Sequence, residues 1–173
     1  MMKRLLWVIL LIPPLLQAPS LPDNIRETEI AKAIYEIDRR EFLLGLDTMS
    51  FSIDNLYKAL LYLEVKQPEM ITRQAILETG NFTSYLWVTY NNPFGMKHPK
   101  HRVTKSYGAV TNIGYAGYNH WSEACVDMIY FQQWYSSRGW DLDNEYEYFL
   151  FNLPYAEDRS YIHKLINIQL SIS

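Results

Sequence analysis

The chain has one cysteine in 173 residues, Cys125, so an internal disulfide is excluded. No Cys/His pair has the spacing of zinc ligands, and neither a metal nor another cofactor is expected. Cys125 lies in an apolar-periodic stretch and reads as a buried structural thiol. A nucleophilic role would need a base and an orienting group, for which His120 is only a distant candidate. Positive charge is also scarce. The formal net charge is −3, and the only basic cluster is the short stretch from Lys97 to Lys105, which argues against a nucleic-acid partner. There is no internal repeat and no low-complexity segment. Long apolar runs are missing too: Leu5–Ile12 is broken by Pro13 and Pro14 and is too short for a comfortable transmembrane helix. What is abundant is apolar and aromatic side chains. Hydrophobic residues make up 49% and aromatics 15%, led by 14 Tyr and 5 Trp, so a packed domain is expected rather than a disordered chain. Tyr and Trp pair a flat apolar face with a polar edge, which suits sugar rings as well as half-buried core rims.

Lys3 and Arg4 ahead of the apolar run form a positive n-region and a short h-region. Residues 1–20 are therefore expected to be a signal peptide cut after Ser20, since Pro19 disfavours a cut after Ala18. The alternative is a membrane anchor that is never removed. Removal of Lys3 and Arg4 would leave a charge of 14 − 19 = −5. The protein is expected to be exported, to the periplasm, the cell envelope or the medium, as a likewise expected monomer. Residues 21–173 form one domain, a size that can bury a real core.

Within that domain, residues 21–28 read as a polar lead-in. Ile30, Ala33, Ile34 and Ile37 follow helical spacing, and Gly45 ends the helix. Ser52 or Asp54 caps a second helix whose inner face is Leu56, Ala59, Leu60 and Leu63. Pro68 and Glu69 suit the first turn of a third helix, stopped near Gly80. Residues 81–97 read as irregular with short helical turns, and 102–118 as a small β-hairpin region. A long helix follows over about 122–134. Shorter ones are expected over 144–152 and 158–170, separated by Pro154. Helices, a hairpin, then helices predict an α+β, mainly α domain.

The chemistry concentrates around Glu78. It lies one turn after Gln74, beside a stripe carrying Met70, Ile71 and Ala75, and is expected to face inward at the end of its helix. Gly80 then permits a sharp turn and leaves room for a ligand. A carboxyl against an apolar wall has its ionised form disfavoured, and the raised pKa suits a general acid. On these grounds alone, an inward Glu at a helix end is more often a satisfied structural carboxylate.

Four sequence blocks add to that reading. Ala75-Ile76-Leu77-Glu78-Thr79-Gly80 with Phe82-Thr83-Ser84 resembles the catalytic helix end of the glucosaminidase family, glycoside hydrolase family 73. Asn91-Asn92-Pro93-Phe94-Gly95-Met96-Lys97 resembles its Asn-Asn-x-Phe-Gly-x-Lys turn, with Pro93 where Leu is usual. Tyr115-Ala116-Gly117-Tyr118-Asn119-His120-Trp121 resembles its aromatic block. Tyr155-Ala156-Glu157-Asp158-Arg159-Ser160-Tyr161 resembles its Tyr-Ala-x-Asp-x-x-Tyr segment. The blocks occur in the family's order and cover most of residues 68–170. The resemblance implies a lysozyme-like fold, peptidoglycan glycan strands as substrate and cleavage after N-acetylglucosamine. It implies that Glu78 donates the proton and that Tyr155 approaches the sugar at the cleavage point. It further implies that Asn92, Phe94 and Gly95 shape the turn beneath the cleft, and that Tyr115, Tyr118 and Tyr161 contact substrate. Turn chemistry is the alternative for Asn92 to Gly95, core packing for Trp121, and a local hydrogen bond for His120.

Residues 98–114 contain no Asp or Glu, so the second carboxyl that most glycosidases use cannot come from the hairpin. Glu123 or Asp158 acting through water, the substrate's own acetamido group, or a sugar hydroxyl as in lytic transglycosylases would have to serve. A muramidase, or a catalytically silent wall-binding module on the same fold, completes the alternatives. The basic stretch 97–105 fits an anionic wall polymer or a solvated hairpin face.

Overall fold

A computed structural model describes residues 23–152 and 160–172. The expected signal segment 1–20, Pro154, Tyr155 and Asp158 lie outside the described residues. The chain divides into two compact units, residues 1–38 and 39–173. Helix α1, Asp23–Gly45, runs through their boundary. It takes in most of the expected lead-in, because nothing between Asp23 and Thr28 breaks a helix. Its Ile30, Ile34 and Ile37 are exposed. Among the described residues no helix is long and apolar enough to cross a membrane.

The second unit is mainly helical with a small antiparallel sheet, as the order of segments predicts. Helix α2, Ile53–Tyr62, starts at Ser52, whose hydroxyl accepts from the Asn55 amide at 3.0 Å. That bond satisfies one of the free amides of a first turn. Leu56, Ala59 and Leu60 are buried at spacings of three and four, so α2 presents one apolar face. This face packs on α3, Pro68–Thr79, and on α5, Trp121–Ser136. From α5 come Ala124, Cys125 and Met128, which join the same core. Cys125 is fully buried, and burial pushes its thiol well above the ordinary value, in keeping with a structural thiol. Helices α6, Tyr146–Asn152, and α7, Tyr161–Ile166, add Phe149, Leu150 and Leu165. Helix α7 ends before the expected residue 170, with Asn167 at its C-cap. Trp121 is core, as its alternative reading held: it is buried, and its indole donates to the Met49 carbonyl at 2.9 Å. His120 hydrogen-bonds locally, to Ser122 at 2.8 Å and to Met49 at 3.1 Å.

Between α3 and α5 stand α4, Tyr85–Tyr90, and the hairpin strands β1, Gly108–Ala109, and β2, Ala116–Gly117. The hairpin is narrower than residues 102–118 suggest, yet β2 is bonded on both sides. It pairs with β1, while on its other flank the Ala116 amide donates to the Met96 carbonyl at 2.9 Å and Lys97 bridges Tyr115. The segment after α4 is thereby stitched to the hairpin.

That stitching is reinforced by a buried cluster that sequence reasoning missed. Asp127 of α5 is wholly buried. It accepts from Arg102 Nη1 at 2.7 Å, from Arg102 Nη2 at 3.2 Å, from the Tyr118 hydroxyl at 2.7 Å and from the Lys105 amide at 3.3 Å. Arg102 also stacks over Phe131 at 5.8 Å. The basic stretch is therefore not one solvated face: Lys97, Lys100 and Lys105 are exposed, but Arg102 is an internal pin.

Candidate active site

Helix α3 carries two adjacent inward stripes, Met70–Gln74 leading to Glu78, and Ile71–Ala75–Thr79. All but Glu78 are buried, and Glu78 itself is half-buried. The helix stops just beyond Glu78 for two reasons. Gly80, Asn81 and Phe82 all take left-handed backbone angles, φ 54°, 58° and 60°. The Asn81 amide donates back to the Ile76 carbonyl at 2.9 Å and that of Gly80 to Leu77 at 3.2 Å, a Schellman end. The second reason is Thr79. Its hydroxyl donates to the Ala75 carbonyl at 2.6 Å and accepts from the Phe82 amide at 2.8 Å. A left-handed Phe is unfavourable by about 1–2 kcal/mol. Ring packing against Phe51 at 4.6 Å and Trp87 at 5.4 Å holds it there.

The carboxyl of Glu78 meets two other segments. From α7, the Tyr161 hydroxyl donates to Oε1 at 2.7 Å. From the turn after α4, Gly95 backs onto Oε2: a Cβ added at Gly95 would lie 3.2 Å from that oxygen, and φ there is +62°. Burial raises the Glu78 pKa above the ordinary 4.5, and the Tyr161 hydrogen bond pulls it partly back. The direction is the one expected from the apolar stripe. Behind Tyr161 lies a buried polar chain. Gln74 Nε2 donates to the Tyr161 hydroxyl at 3.3 Å, and Gln74 Oε1 accepts from the Tyr146 hydroxyl at 2.8 Å.

The remaining expected site residues are placed as follows. Asn92 is buried, with Nδ2 donating to the carbonyls of Met96 at 2.8 Å and Ala116 at 2.9 Å, while Oδ1 accepts from the Met96 amide at 3.1 Å. These bonds close the turn, the place that the resemblance gives to Asn92. Phe94 is buried at the same turn. Gly95 of that block lies against the Glu78 carboxyl. Tyr118 is 1% exposed and its hydroxyl donates to Asp127. Tyr161 is buried and its hydroxyl donates to the Glu78 carboxyl. Tyr115 stays half-buried on the segment that pairs with Lys97.

Gln74 and Tyr146 were missed as site residues. Gln74 had a readable signal, a second polar residue one turn before Glu78 on an otherwise apolar face. Tyr146 had none, because its partner lies 72 residues away. Of the alternative carboxylates, Glu123 accepts from the Asn119 amide at 2.8 Å, and Asp158 lies outside the described residues. Among the described residues no group of three His, Cys, Asp or Glu could hold a metal ion.

One surface near the hairpin is rich in exposed rings. Tyr85 and Tyr107 are exposed, and Tyr85 stacks edge-to-face on Tyr90 at 5.7 Å. The Tyr90 phenol is raised above 10.0, first by its hydrogen bond with Tyr85, with Tyr107 close enough to add to it. The Tyr107 ring lies so near Gly117 that a Cβ there would meet it at 2.5 Å.

A mainly helical domain with one half-buried, pKa-raised carboxyl at a helix end has the makings of an acid-catalysing hydrolase. Comparison with known proteins supplies the family. The glucosaminidase family model, described as mannosyl-glycoprotein endo-beta-N-acetylglucosaminidase, matches residues 55–172, from the first turn of α2 to the end of the described chain. The chain belongs to the glucosaminidase family, and with it to the glycoside hydrolases. No curated protein and no solved structure matches significantly.

Proposed function

We propose that this domain hydrolyses the glycan strand of peptidoglycan after N-acetylglucosamine, with Glu78 as the general acid. The observation that carries the reading is the carboxyl itself. It is half-buried, raised in pKa by burial, held at Oε1 by Tyr161 and backed at Oε2 by the side-chain-free Gly95, within a glucosaminidase domain. A carboxyl tuned this way is still protonated where an ordinary Glu is ionised, as acid catalysis of glycoside cleavage requires. The proton passes to the glycosidic oxygen as the bond from that oxygen to the anomeric carbon breaks. Water then adds its hydroxide to the anomeric carbon, and its remaining proton restores Glu78. The exposed rings of Tyr85 and Tyr107 suit successive sugars of a polymer. Tyr155 is proposed to approach the sugar at the cleavage point, on the resemblance of its segment alone. Export through residues 1–20 would bring the enzyme to its substrate.

Glu78→Gln keeps the side chain's shape and removes its proton. Purified cell walls cleared by the wild type should stay turbid with the variant, while its circular dichroism is unchanged. Clearing by the variant would sink the assignment. A second reading is favoured by one feature: residues 98–114 carry no carboxylate, and Glu123 is engaged by the Asn119 amide. With a lone acid, attack by a sugar hydroxyl would make the enzyme a lytic transglycosylase. Mass spectrometry of the products separates the two, because that route leaves anhydro-sugars without added water.

A further inference from the structure

The two oxygens of Glu78 stand in different surroundings. Oε1 accepts the Tyr161 proton at 2.7 Å, whereas Oε2 faces the side-chain-free backbone of Gly95. We infer that the chain Tyr146–Gln74–Tyr161 is a positioning device that keeps the transferable proton of Glu78 on Oε2, beside Gly95. This rests on the reading of Glu78 as the acid and goes beyond it by assigning roles to Gln74 and Tyr146.

The argument is one of donor and acceptor arithmetic. A side-chain amide NH₂ can only donate. With Gln74 Nε2 directed at the Tyr161 oxygen, the single phenolic proton is left for Glu78 Oε1. Gln74 is held in that sense because its Oε1 takes the Tyr146 hydroxyl proton at 2.8 Å. Gln74 and Tyr146 are each 4% exposed and Tyr161 8%, so water does not readily replace any link. Once Glu78 has given up its proton, the carboxylate keeps Tyr161 on Oε1. The next proton then settles on the oxygen with free lone pairs, Oε2. The same oxygen thus donates and is recharged in every turnover. Among the described residues, the groups shown against the carboxyl are the Tyr161 phenol from α7 and the uncharged Gly95 backbone from the turn after α4. On α3 itself, Arg73 is directed to the Ile168 carbonyl and to Glu69.

The test uses Tyr161→Phe, Gln74→Met and Tyr146→Phe in the full chain. Their kcat and KM are measured against pH on soluble peptidoglycan fragments. The Glu78 carboxyl is read independently by infrared difference spectroscopy against Glu78→Gln. Loss of one buried orienting bond should lower kcat about tenfold in Tyr161→Phe and Gln74→Met, with KM changed less than about twofold. Tyr146→Phe should fall between these and the wild type. The bond from Tyr161 favours the ionised form, so its loss should move the alkaline limb of kcat, and the infrared titration, to higher pH. If Glu78→Gln is inactive while both profiles keep the wild-type kcat and limb, this inference is overturned and the assignment of Glu78 stands. A kcat loss matched by lost thermal stability, with an unmoved limb and unmoved carboxyl titration, also overturns it, since the chain is then merely structural. Should Gln74→Met fail to fold, Tyr161→Phe and its carboxyl titration decide alone. Activity retained by Glu78→Gln would overturn both readings.

Discussion

Replacing Asp127 by Ala tests what holds the hairpin to the helical core. Asp127 is wholly buried and accepts four hydrogen bonds, from both terminal nitrogens of Arg102, from Tyr118 and from the Lys105 amide. Its removal leaves the Arg102 guanidinium, whose side chain is 8% exposed, charged and without its counter-ion. Breaking such a pair from one side costs about 3–5 kcal/mol. Loss of the Tyr118 hydroxyl's bond to Asp127 adds to this, though not independently, because the groups form one network. At about 2–4 °C per kcal/mol for a domain near this size, Tm should fall by roughly 6–20 °C. Differential scanning calorimetry and urea unfolding measure both quantities. Arg102→Met/Asp127→Leu, which removes both charges and refills the space, should return to within about 2 kcal/mol of the wild type. Two results would refute the reasoning: a loss below about 1 kcal/mol in Asp127→Ala, or a double variant as unstable as the sum of its single changes. Either would mean that the apolar core, not the ion pair, fixes the hairpin.

Three further outcomes are expected. Gly95→Ala brings a methyl to 3.2 Å from Glu78 Oε2 and strains a backbone at φ +62°. It should cost about 1 kcal/mol of stability but lower kcat far more than the roughly fivefold that such an energy would represent, measurable by parallel melting and turnover assays. Glu78→Gln should be more stable than the wild type at neutral pH. A carboxyl whose folded pKa is raised contributes stability below the unfolded value near 4.5 and loses it as pH rises through the folded value. The Tm difference should therefore close toward acid pH, and a difference constant with pH would refute the raised pKa. Tyr107→Ala or Tyr85→Ala should weaken binding to long glycan strands about three- to tenfold while leaving turnover of short fragments unchanged. Co-sedimentation with insoluble cell walls measures the first effect.

Much of the helical framework was legible because its signals are local. Ser52 before α2, Pro68 at the start of α3 and Gly80 at its end act through their own backbone, and the stripes of α2 and α3 repeat with the helical period. Helix α7 was over-extended at its C-terminal end, where Asn167 caps it. The Asn91–Gly95 block was legible as a turn, since Asn and Gly tolerate left-handed backbone. That Gly95 would lie against the Glu78 carboxyl, with Asn92 turned inward to the backbone, was not.

By itself, the sequence determined that Glu78 ends a helix beside an apolar stripe, which is enough to predict an upward shift of its pKa. It also determined that the hairpin offers no carboxylate. Only the tertiary structure decided what grips that carboxyl. Tyr161 lies 83 residues and Tyr146 72 residues from their partners, and Arg102 finds Asp127 across 25. Tyr118 and Tyr161 look alike as aromatic letters in family-like blocks, yet one serves a buried aspartate and the other the acid. Periodicity reports which face of an element is apolar. It does not report which polar atom of a distant element will be brought against that face, because that depends on how α3, α6 and α7 pack, and packing is settled by the whole core at once.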